Sequence, residues 1–212
     1  MNTHQLITVG CMLLLGTGLL GGCTQKPSVL LDVPFAPQSP YANWDALHEE
    51  ACEEMSLIMV HHFLAATPLS LSGAEIEVQQ MVAWETANRY GVDVSAKELG
   101  AIATALYGYR ARVLADVTAE KLRLELSRGN PIIIPAAGRA LENPHFEGRN
   151  PFYHMLVVIG YSGDSFITNE PGTKDGAQYV YPAALLMDAL HDWNGVKEQI
   201  ATGPKNALVI ER

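Results

Sequence analysis

His48-Glu-Glu-Ala-Cys52-Glu-Glu-Met-Ser-Leu-Ile-Met-Val60 contains the one thiol in the body of this 212-residue chain, because Cys11 and Cys23 belong to an N-terminal segment typical of exported proteins. Apolar side chains recur at helical spacing after Cys52, which predicts a helix over residues 49–64. An unpaired thiol is unusual in an exported domain, since it is open to oxidation. In the first turn of a helix, free N–H groups and the positive dipole end stabilise a thiolate. The stretch therefore favours a nucleophilic cysteine, with a small buried core residue as the alternative.

The N-terminal segment combines an apolar run over residues 6–20 with a cysteine shortly after it. As a helix this run would span about 22 Å, less than the hydrocarbon core of about 30 Å, so we expect a signal peptide over residues 1–22. Leu20-Gly21-Gly22-Cys23 resembles the lipobox of bacterial lipoproteins, which implies a lipid on Cys23 and a short tether over residues 23–31. The protein would then be anchored to a membrane of the bacterial cell envelope, facing away from the cytoplasm. A short membrane anchor, or a secretory signal that leaves Cys23 free, is the alternative.

The remaining residues, 32–212, have the size of one domain. The chain is 48% hydrophobic, which is enough for a substantial core. Its net charge of −9 argues against nucleic acid as a partner and against electrostatic binding to anionic lipid. The sequence shows no glycine-rich phosphate loop and no ligand set for a tetrahedral metal, so we expect neither a cofactor nor a metal.

Helix signals come before most strand signals along the chain. Capping-box patterns at Ser72 and Ser95 predict helices that end near residues 90 and 107, and Thr118 predicts the cap of a shorter helix. A long polar loop covers residues 138–152, and a last helix is predicted over 182–193. The predicted strands cover residues 29–35, 109–114, 130–135, 154–161, 165–169, 179–181 and 207–210. This order indicates the α+β class, with helices packed on an antiparallel sheet.

A thiol nucleophile needs a base, and His154 is the best placed histidine. It begins a strongly apolar strand directly after the long loop, where a rigid scaffold presents side chains to a cleft. His61 and His62 lie too far along the helix of Cys52 to reach its thiol. Position alone leaves open that His154 is a strand-end histidine bonded only to backbone.

Five segments in this order carry a resemblance to a known family. They are Val33-Pro-Phe-Ala-Pro-Gln38, Trp44, Ala51-Cys52-Glu-Glu-Met-Ser-Leu-Ile-Met59, His154-Met-Leu-Val-Val-Ile-Gly-Tyr161 and Ile167-Thr-Asn-Glu-Pro-Gly172. Over essentially the whole mature chain, the sequence resembles the double-glycine (bacteriocin-processing) peptidase-like branch of the papain-like cysteine peptidases, in a stand-alone bacterial lipoprotein form. The resemblance implies a papain-like fold with the nucleophile at a helix N-terminus.

The resemblance also implies a role for each site residue in the hydrolysis of a peptide or protein substrate. Cys52 would be the nucleophile, and His154 the general base that later protonates the leaving group. Gln38 and the backbone N–H of Cys52 would form the oxyanion hole, and Glu170 would orient the imidazole. The chain departs from the family pattern at Glu53-Glu54, where many members carry Gly-Pro, and at Glu170, where the acid is usually Asp.

Asn169 and Glu170 both lie within reach of His154, and the register of the intervening hairpin decides between them. A three-residue turn, 162–164, would place Glu170 on the face of His154. A two-residue turn would bring Asn169 round instead. We predict the three-residue turn and Glu170.

Acidic residues surround the nucleophile in sequence, Glu53 and Glu54 most closely. They suit a helix N-terminus but oppose thiolate formation. An exposed carboxylate about 8 Å away would cost roughly 0.5 kcal/mol, whereas a partly desolvated imidazolium at about 3.5 Å would contribute roughly 4 to 5 kcal/mol. We therefore expect the thiolate–imidazolium pair to form, and Cys52 to react fast well below pH 8.

Two other functions remain open. One is a peptide-binding lipoprotein that has lost turnover, which the departures at Glu53-Glu54 and Glu170 favour. The other is an acyl or glutaminyl transferase, since papain-like sites also perform transfer. The intact Cys, His and Gln set argues against the first, and the sequence does not show which acceptor reaches an acyl-enzyme.

Overall fold

The computed structural model describes residues 28–146 and 151–212, so the predicted signal peptide and Cys23 lie outside the described residues. Two short 3₁₀ turns, Gly138–Leu141 and Lys197–Thr202, accompany the helices and strands. None of the helices in the described part of the chain is long and apolar enough to cross a bilayer. The chain order is β1 (Ser28–Leu30), α1 (Cys52–Ala65), α2 (Leu71–Ala87), α3 (Ala96–Tyr107), β2 (Arg110–Leu114), α4 (Ala119–Ser127), β3 (Ile132–Ala137), β4 (Tyr153–Ser162), β5 (Ser165–Asn169), β6 (Tyr179–Pro182), α5 (Ala183–Ala189) and β7 (Ala207–Glu211).

The strands of the described residues form one antiparallel sheet in the order β2-β7-β3-β4-β5-β6, and β1 pairs with the last residues of β4. Helices α1, α2 and α3 pack on one face, against Met155 and Val157 of β4. Helices α4 and α5 pack on the other face, against Leu156 and Val158. Because β4 is covered on both faces, its sequence is a continuous apolar run. The predicted α+β class is confirmed.

Helix α1 is the central helix of the first core, and residues 52–60 are all buried. It begins at Cys52, three residues later than predicted. Because the helix is enclosed on every side, polar residues in its first turns are buried along with the apolar ones. The burial of these polar residues determines the electrostatics around Cys52.

Several predicted boundaries were displaced by local contacts. Helix α2 is capped by Ser70, whose hydroxyl accepts the N–H of Gly73 at 3.0 Å, and not by Ser72. The capping box of Ser95 is present. Strand β1 ends at residue 30 and not 35, and α5 ends at residue 189 and not 193. At that end the chain leaves the helix so that Leu190 can bridge to β3.

The hairpin between β4 and β5 turns through two residues, 163–164, so the predicted three-residue turn is wrong. By itself this register would bring Asn169 to the face of His154. A β-bulge at Ile159 adds one residue to β4 and reverses the shift. Glu170 therefore returns to the face of His154.

Strand β4 extends beyond the end of β5, because Asn169, the last residue of β5, pairs with Val157. On its other side Met155 pairs with Pro135, whose carbonyl accepts the N–H of His191 on the side away from β4. In an antiparallel pair, the N–H and C=O of one residue point the same way, so the N–H of Met155 points to the uncovered edge. The sheet thus presents the N–H of Met155 as a backbone donor at this edge. Pro135, which has no N–H, is tolerated in an inner strand because the pairing with Met155 requires no hydrogen bond from it.

Gly160 of β4 pairs with Leu30 of β1, and the backbone of β1 leaves no room for a side chain at residue 160. A Cβ there would lie 2.3 Å from the carbonyl oxygen of Val29. We expect Gly160→Ala to force β1 away and to lower the free energy of unfolding by about 1–3 kcal/mol, the usual cost of overpacking. Urea denaturation followed by circular dichroism measures this. Ser162→Ala, at an exposed position of β4, is the control. Equal stability of Gly160→Ala and the wild type would contradict the close approach.

Candidate active site

The start of α1 and the uncovered edge of β4 enclose a cavity of about 590 Å³. Cys52, His154 and Gln38 all line it. The sulfur of Cys52 accepts the N–H of Met155 at 3.3 Å, so the thiol is fixed beside the backbone of β4. Cys52 is 5% exposed and His154 is 1% exposed, which puts both reactive groups at the nearly dry base of the cavity.

Glu170 fixes the imidazole of His154. Its Oε1 accepts from Nε2 of His154 and from the N–H of Gly172, the latter at 2.9 Å. Its Oε2 accepts the hydroxyl of Tyr181 at 3.0 Å, and that hydroxyl oxygen accepts from the amide of Asn143 at 2.8 Å. An ionised carboxylate only accepts, so Nε2 carries the proton and Nδ1 is the ring nitrogen left without one.

Asn169 has a different role from Glu170. Its amide nitrogen donates to the carbonyl of Val33 at 3.0 Å, and its oxygen accepts the N–H of Gln178 at 3.2 Å. These bonds hold the segment before Gln38 against the end of β5. Tyr181 and Asn143 could not be predicted from the sequence, because their contacts with Glu170 depend on how β6 and the loop before β4 pack together.

Gly172 makes room for the ring that covers His154. A Cβ at Gly172 would lie 2.7 Å from the ring of Phe146 and 3.1 Å from Cε1 of His154. Phe146 meets the imidazole edge-on, with ring centroids 5.2 Å apart. The aromatic ring shields the imidazole from water, which strengthens its bond to Glu170.

Gln38 lies in the cavity wall, but its amide faces two backbone carbonyls. Its Nε2 donates to the carbonyl of His48 at 2.7 Å and to that of Glu49 at 3.2 Å. Exchanging amide oxygen and nitrogen would place two oxygens 2.7 Å apart, so this orientation is required. Its Oε1 is buried without a partner among the described residues. To act as the expected oxyanion donor, Nε2 of Gln38 would have to give up the longer of these two bonds.

Glu53 and Glu54 are buried, 1% and 4% exposed, so the expectation of exposed acids near Cys52 is wrong. The thiol of Cys52 donates to Oε2 of Glu53 at 2.9 Å. The sequence suggested acids on the surface of a helix end. The structure buries them because α1 is enclosed on all sides.

Burial and the charge of Glu53 raise the pKa of the Cys52 thiol well above its ordinary value, while the N–H of Met155 acts in the opposite direction. At 2.9 Å, two unit charges repel by about 6 kcal/mol at an effective dielectric constant near 20. The helix dipole offers about 0.3–1 kcal/mol, and an imidazolium roughly 4 to 5 kcal/mol. While Glu53 is ionised, burial and its charge oppose loss of the thiol proton, and the fast reaction of Cys52 well below pH 8 stays a prediction.

Further carboxyl groups surround Glu53. Burial, then the charge of Glu54, raise the pKa of Glu53 well above its ordinary value. Burial, then the neighbouring carboxyl group of Glu85, raise the pKa of Glu54. Oε2 of Glu54 and Oε1 of Glu85 are both buried without a hydrogen-bond partner among the described residues. Asp93 lies nearby, paired with Lys197 at 3.2 Å. Across residues 28–146 and 151–212, no three His, Cys, Asp or Glu side chains are grouped so as to hold a metal.

Comparison with known proteins agrees with this architecture. The model of the Peptidase_C39 like family matches residues 30–201. The chain belongs to this family. The resemblance seen in the sequence and the predicted papain-like peptidase fold are both confirmed, and the family is peptidase-like. No curated protein sequence matches the chain.

Three solved structures resemble this Peptidase_C39 like protein. A putative C39-like peptidase from Bacillus anthracis is 18% identical and has a TM-score of 0.58, with 88% of this chain and 98% of that chain covered. A double glycine motif protease from an AMS/PCAT transporter, in complex with the leader peptide, is 19% identical with a TM-score of 0.49, covering 86% and 94%. The peptidase domain of Streptococcus ComA, a bi-functional ABC transporter in a quorum sensing pathway, is 13% identical with a TM-score of 0.48, covering 84% and 98%.

We expect the buried carboxyl groups of Glu54 and Glu85 to share one proton, which predicts a pH-dependent stability. A carboxyl group whose pKa is raised by folding stabilises the fold below its unfolded pKa, and this stability is lost as pH rises through the folded pKa. Glu54→Gln supplies an amide N–H in place of the proton. Between pH 5 and 8, we expect the wild type to lose more than about 1 kcal/mol of unfolding free energy relative to Glu54→Gln, measured by urea denaturation. Glu142→Gln, at an exposed position, is the control and should follow the wild type. Parallel curves for Glu54→Gln and the wild type would contradict the shared proton.

Proposed function

We propose that this protein is a cysteine peptidase that hydrolyses peptide bonds with Cys52, His154 and Glu170. The observation that carries the proposal is the complete set of hydrogen bonds on Glu170, which fixes the imidazole with Nδ1 unused by the acid. That imidazole and the thiol of Cys52 line one cavity, and the Peptidase_C39 like family supports the reaction class.

The reaction begins with transfer of the Cys52 proton to Nδ1 of His154. The thiolate attacks the carbonyl carbon of the substrate, and the carbonyl electron pair moves to oxygen. The C–N bond then breaks, and His154 gives its proton to the leaving amine. Water, deprotonated by His154, attacks the thioester carbon. The C–S bond then breaks, the acid is released, and the sulfur of Cys52 takes back the proton from His154. Throughout, Glu170 keeps the ring oriented and stabilises the imidazolium.

The oxyanion would be held by the backbone N–H of Cys52 and by Nε2 of Gln38. In the described state, Nε2 donates at 3.2 Å to the carbonyl of Glu49, the longer of its two bonds. An oxyanion is a stronger acceptor than a neutral carbonyl, so it can replace this bond. Substrate binding thus completes the site.

A second candidate function is a peptide-binding protein without turnover. The specific observation in its favour is the thiol of Cys52, which is bonded to a buried carboxylate rather than free to ionise. Binding of peptides by such a protein would use the same cavity, so a measurement of turnover is needed to separate the two.

Cleavage of a diverse peptide pool, read by mass spectrometry at pH 5.5 and 7.5, tests the proposal. We expect new peptide termini with the wild type and none with Cys52→Ala. Glu170→Gln should lower the rate by at least about 100-fold, because the imidazolium loses its charged partner. Glu142→Gln, the same change at an exposed position, is the matched control and should keep the wild-type rate. If the wild type binds peptides and cleaves none at either pH, the second function is correct.

We also propose that Cys23 carries a lipid that anchors the protein in the bacterial cell envelope. The support is the apolar run over residues 6–20 followed by Leu20-Gly21-Gly22-Cys23.

Expression of the full chain in a bacterial host tests the anchor. We expect membrane-bound protein whose mature N-terminus is a lipid-modified Cys23, identified by intact mass. Cys23→Ser should move the protein to the soluble fraction, because acyl chains supply the membrane affinity. Cys11→Ser serves as the control and should stay membrane-bound. An intact mass that still includes Met1 would refute the anchor.

A further inference from the structure

The thiol–carboxylate contact, Cys52 Sγ to Glu53 Oε2 at 2.9 Å, is not needed by the proposed triad. The other oxygen of Glu53 accepts the N–H of Val94 at 3.4 Å, a long bond that leaves most of the carboxylate's capacity unused. Glu53 therefore directs its best acceptor position at the reacting sulfur. A carboxylate in that place has a chemical consequence for the nucleophile.

We propose that Glu53 is a catalytic residue that controls the protonation of Cys52: as a carboxylate it retains the thiol proton, and as a carboxylic acid it donates a hydrogen bond to the thiolate. The proposal rests on the function proposed above, because it assigns Cys52 as the nucleophile. It adds an acid-activated resting state to that function. Cys52 then reacts faster at mildly acidic pH than at neutral pH, the reverse of an ordinary thiol.

The proton balance between the two states is simple. In the neutral-pH state Cys52 is a thiol, His154 is neutral and Glu53 carries one negative charge. Uptake of one proton from solvent by Glu53 removes that charge. The S–H bond of Cys52 then breaks, its electron pair stays on sulfur, and the proton bonds to Nδ1 of His154. The new O–H of Glu53 and the N–H of Met155 both donate to the thiolate, and the net charge of the three groups rises from −1 to 0.

The surroundings of Glu53 favour proton uptake. Carboxyl groups face it from three parts of the chain: Glu54 of α1, Glu85 of α2 and Asp93 before α3. Burial of Glu53, then repulsion by the charge of Glu54, raise the pKa of Glu53, which moves proton uptake toward neutral pH. Lys197 bonds Asp93 at 3.2 Å and Glu50 at 3.0 Å, not Glu53.

The sheet supplies no cation to Glu53 either. Tyr153 of β4 faces it, and burial followed by the charge of Glu53 raises the pKa of that phenol well above its ordinary value. The hydroxyl of Tyr153 donates to the carbonyl of Val94 at 2.8 Å, so it does not neutralise the carboxylate. His154 is engaged by Glu170 through Nε2. None of these described groups places a cation on Glu53, so its negative charge is removed when the carboxylate takes up a proton.

Alkylation of Cys52 by iodoacetamide in the mature protein, followed for the Cys52 peptide by mass spectrometry from pH 4.5 to 9, tests the proposal. For the wild type we expect the rate to fall as pH rises through the titration of Glu53, and to rise again only where the thiol ionises by itself. Glu53→Gln mimics the protonated acid, so its rate at pH 7.5 should exceed that of the wild type at least tenfold, with no acid-side rise.

Glu54→Gln is the matched control. It removes a buried carboxyl from the same helical turn, keeps the thiol–carboxylate contact and replaces the proton shared with Glu85 by an amide N–H. Its rate should still be higher at acidic pH. A merely structural Glu53 would give a slower or unchanged Glu53→Gln and a wild-type rate that rises steadily with pH, and this result would overturn the proposal. Alkylation requires no peptide, so the proposal and the peptidase function fail separately: acid-activated alkylation without peptide cleavage would refute only the latter.

Discussion

The bond from the N–H of Met155 to the sulfur of Cys52 is the constraint on which the site depends. It exists because β4 extends past the end of β5 and because Pro135 leaves that N–H pointing to the uncovered edge. Side chains alternate along β4, so His154 shares a face with Leu156, while Cys52 comes from a helix on the opposite face. Only at an edge without a strand partner can a thiol from one face meet an imidazole from the other.

Much of this arrangement could be predicted from the sequence, since it follows from local patterns. Three of its features are visible in the sequence: the apolar run of β4, the helix after Cys52, and the position of His154 after a long loop. Glu170 was assigned to the face of His154 through a turn of the wrong length, and the bulge at Ile159 restored it. A bulge changes the register of two strands without changing the alternation of apolar and polar residues in the sequence. The assignment of Glu170 to the face of His154 was therefore correct, although the predicted turn length was wrong.

The burial of Glu53 could not be predicted, because it is a property of the whole core. Acids at a helix start ordinarily face water, and the sequence around Cys52 contains the usual mixture of polar and apolar positions. In the fold, the sheet and helices α2 and α3 enclose α1, so the polar positions of α1 are buried together with the apolar ones. Buried carboxyl groups weaken a fold, so their concentration behind one reactive sulfur is typical of a functional site where local rules are broken.

The pairing of β1 with the end of β4 sets the distance between Ser28 and the cavity that Cys52 and His154 line. Ser28 lies beside Ser162, eight residues along β4 from His154, or about 26 Å at the rise of an extended strand. If Cys23 holds the Ser28 end of the molecule at a bilayer, a polypeptide fixed to the same surface has to span a distance of this order to present its bond to the thiol. Substrate length measured from the membrane then becomes a criterion of selection, acting in addition to any preference for particular side chains.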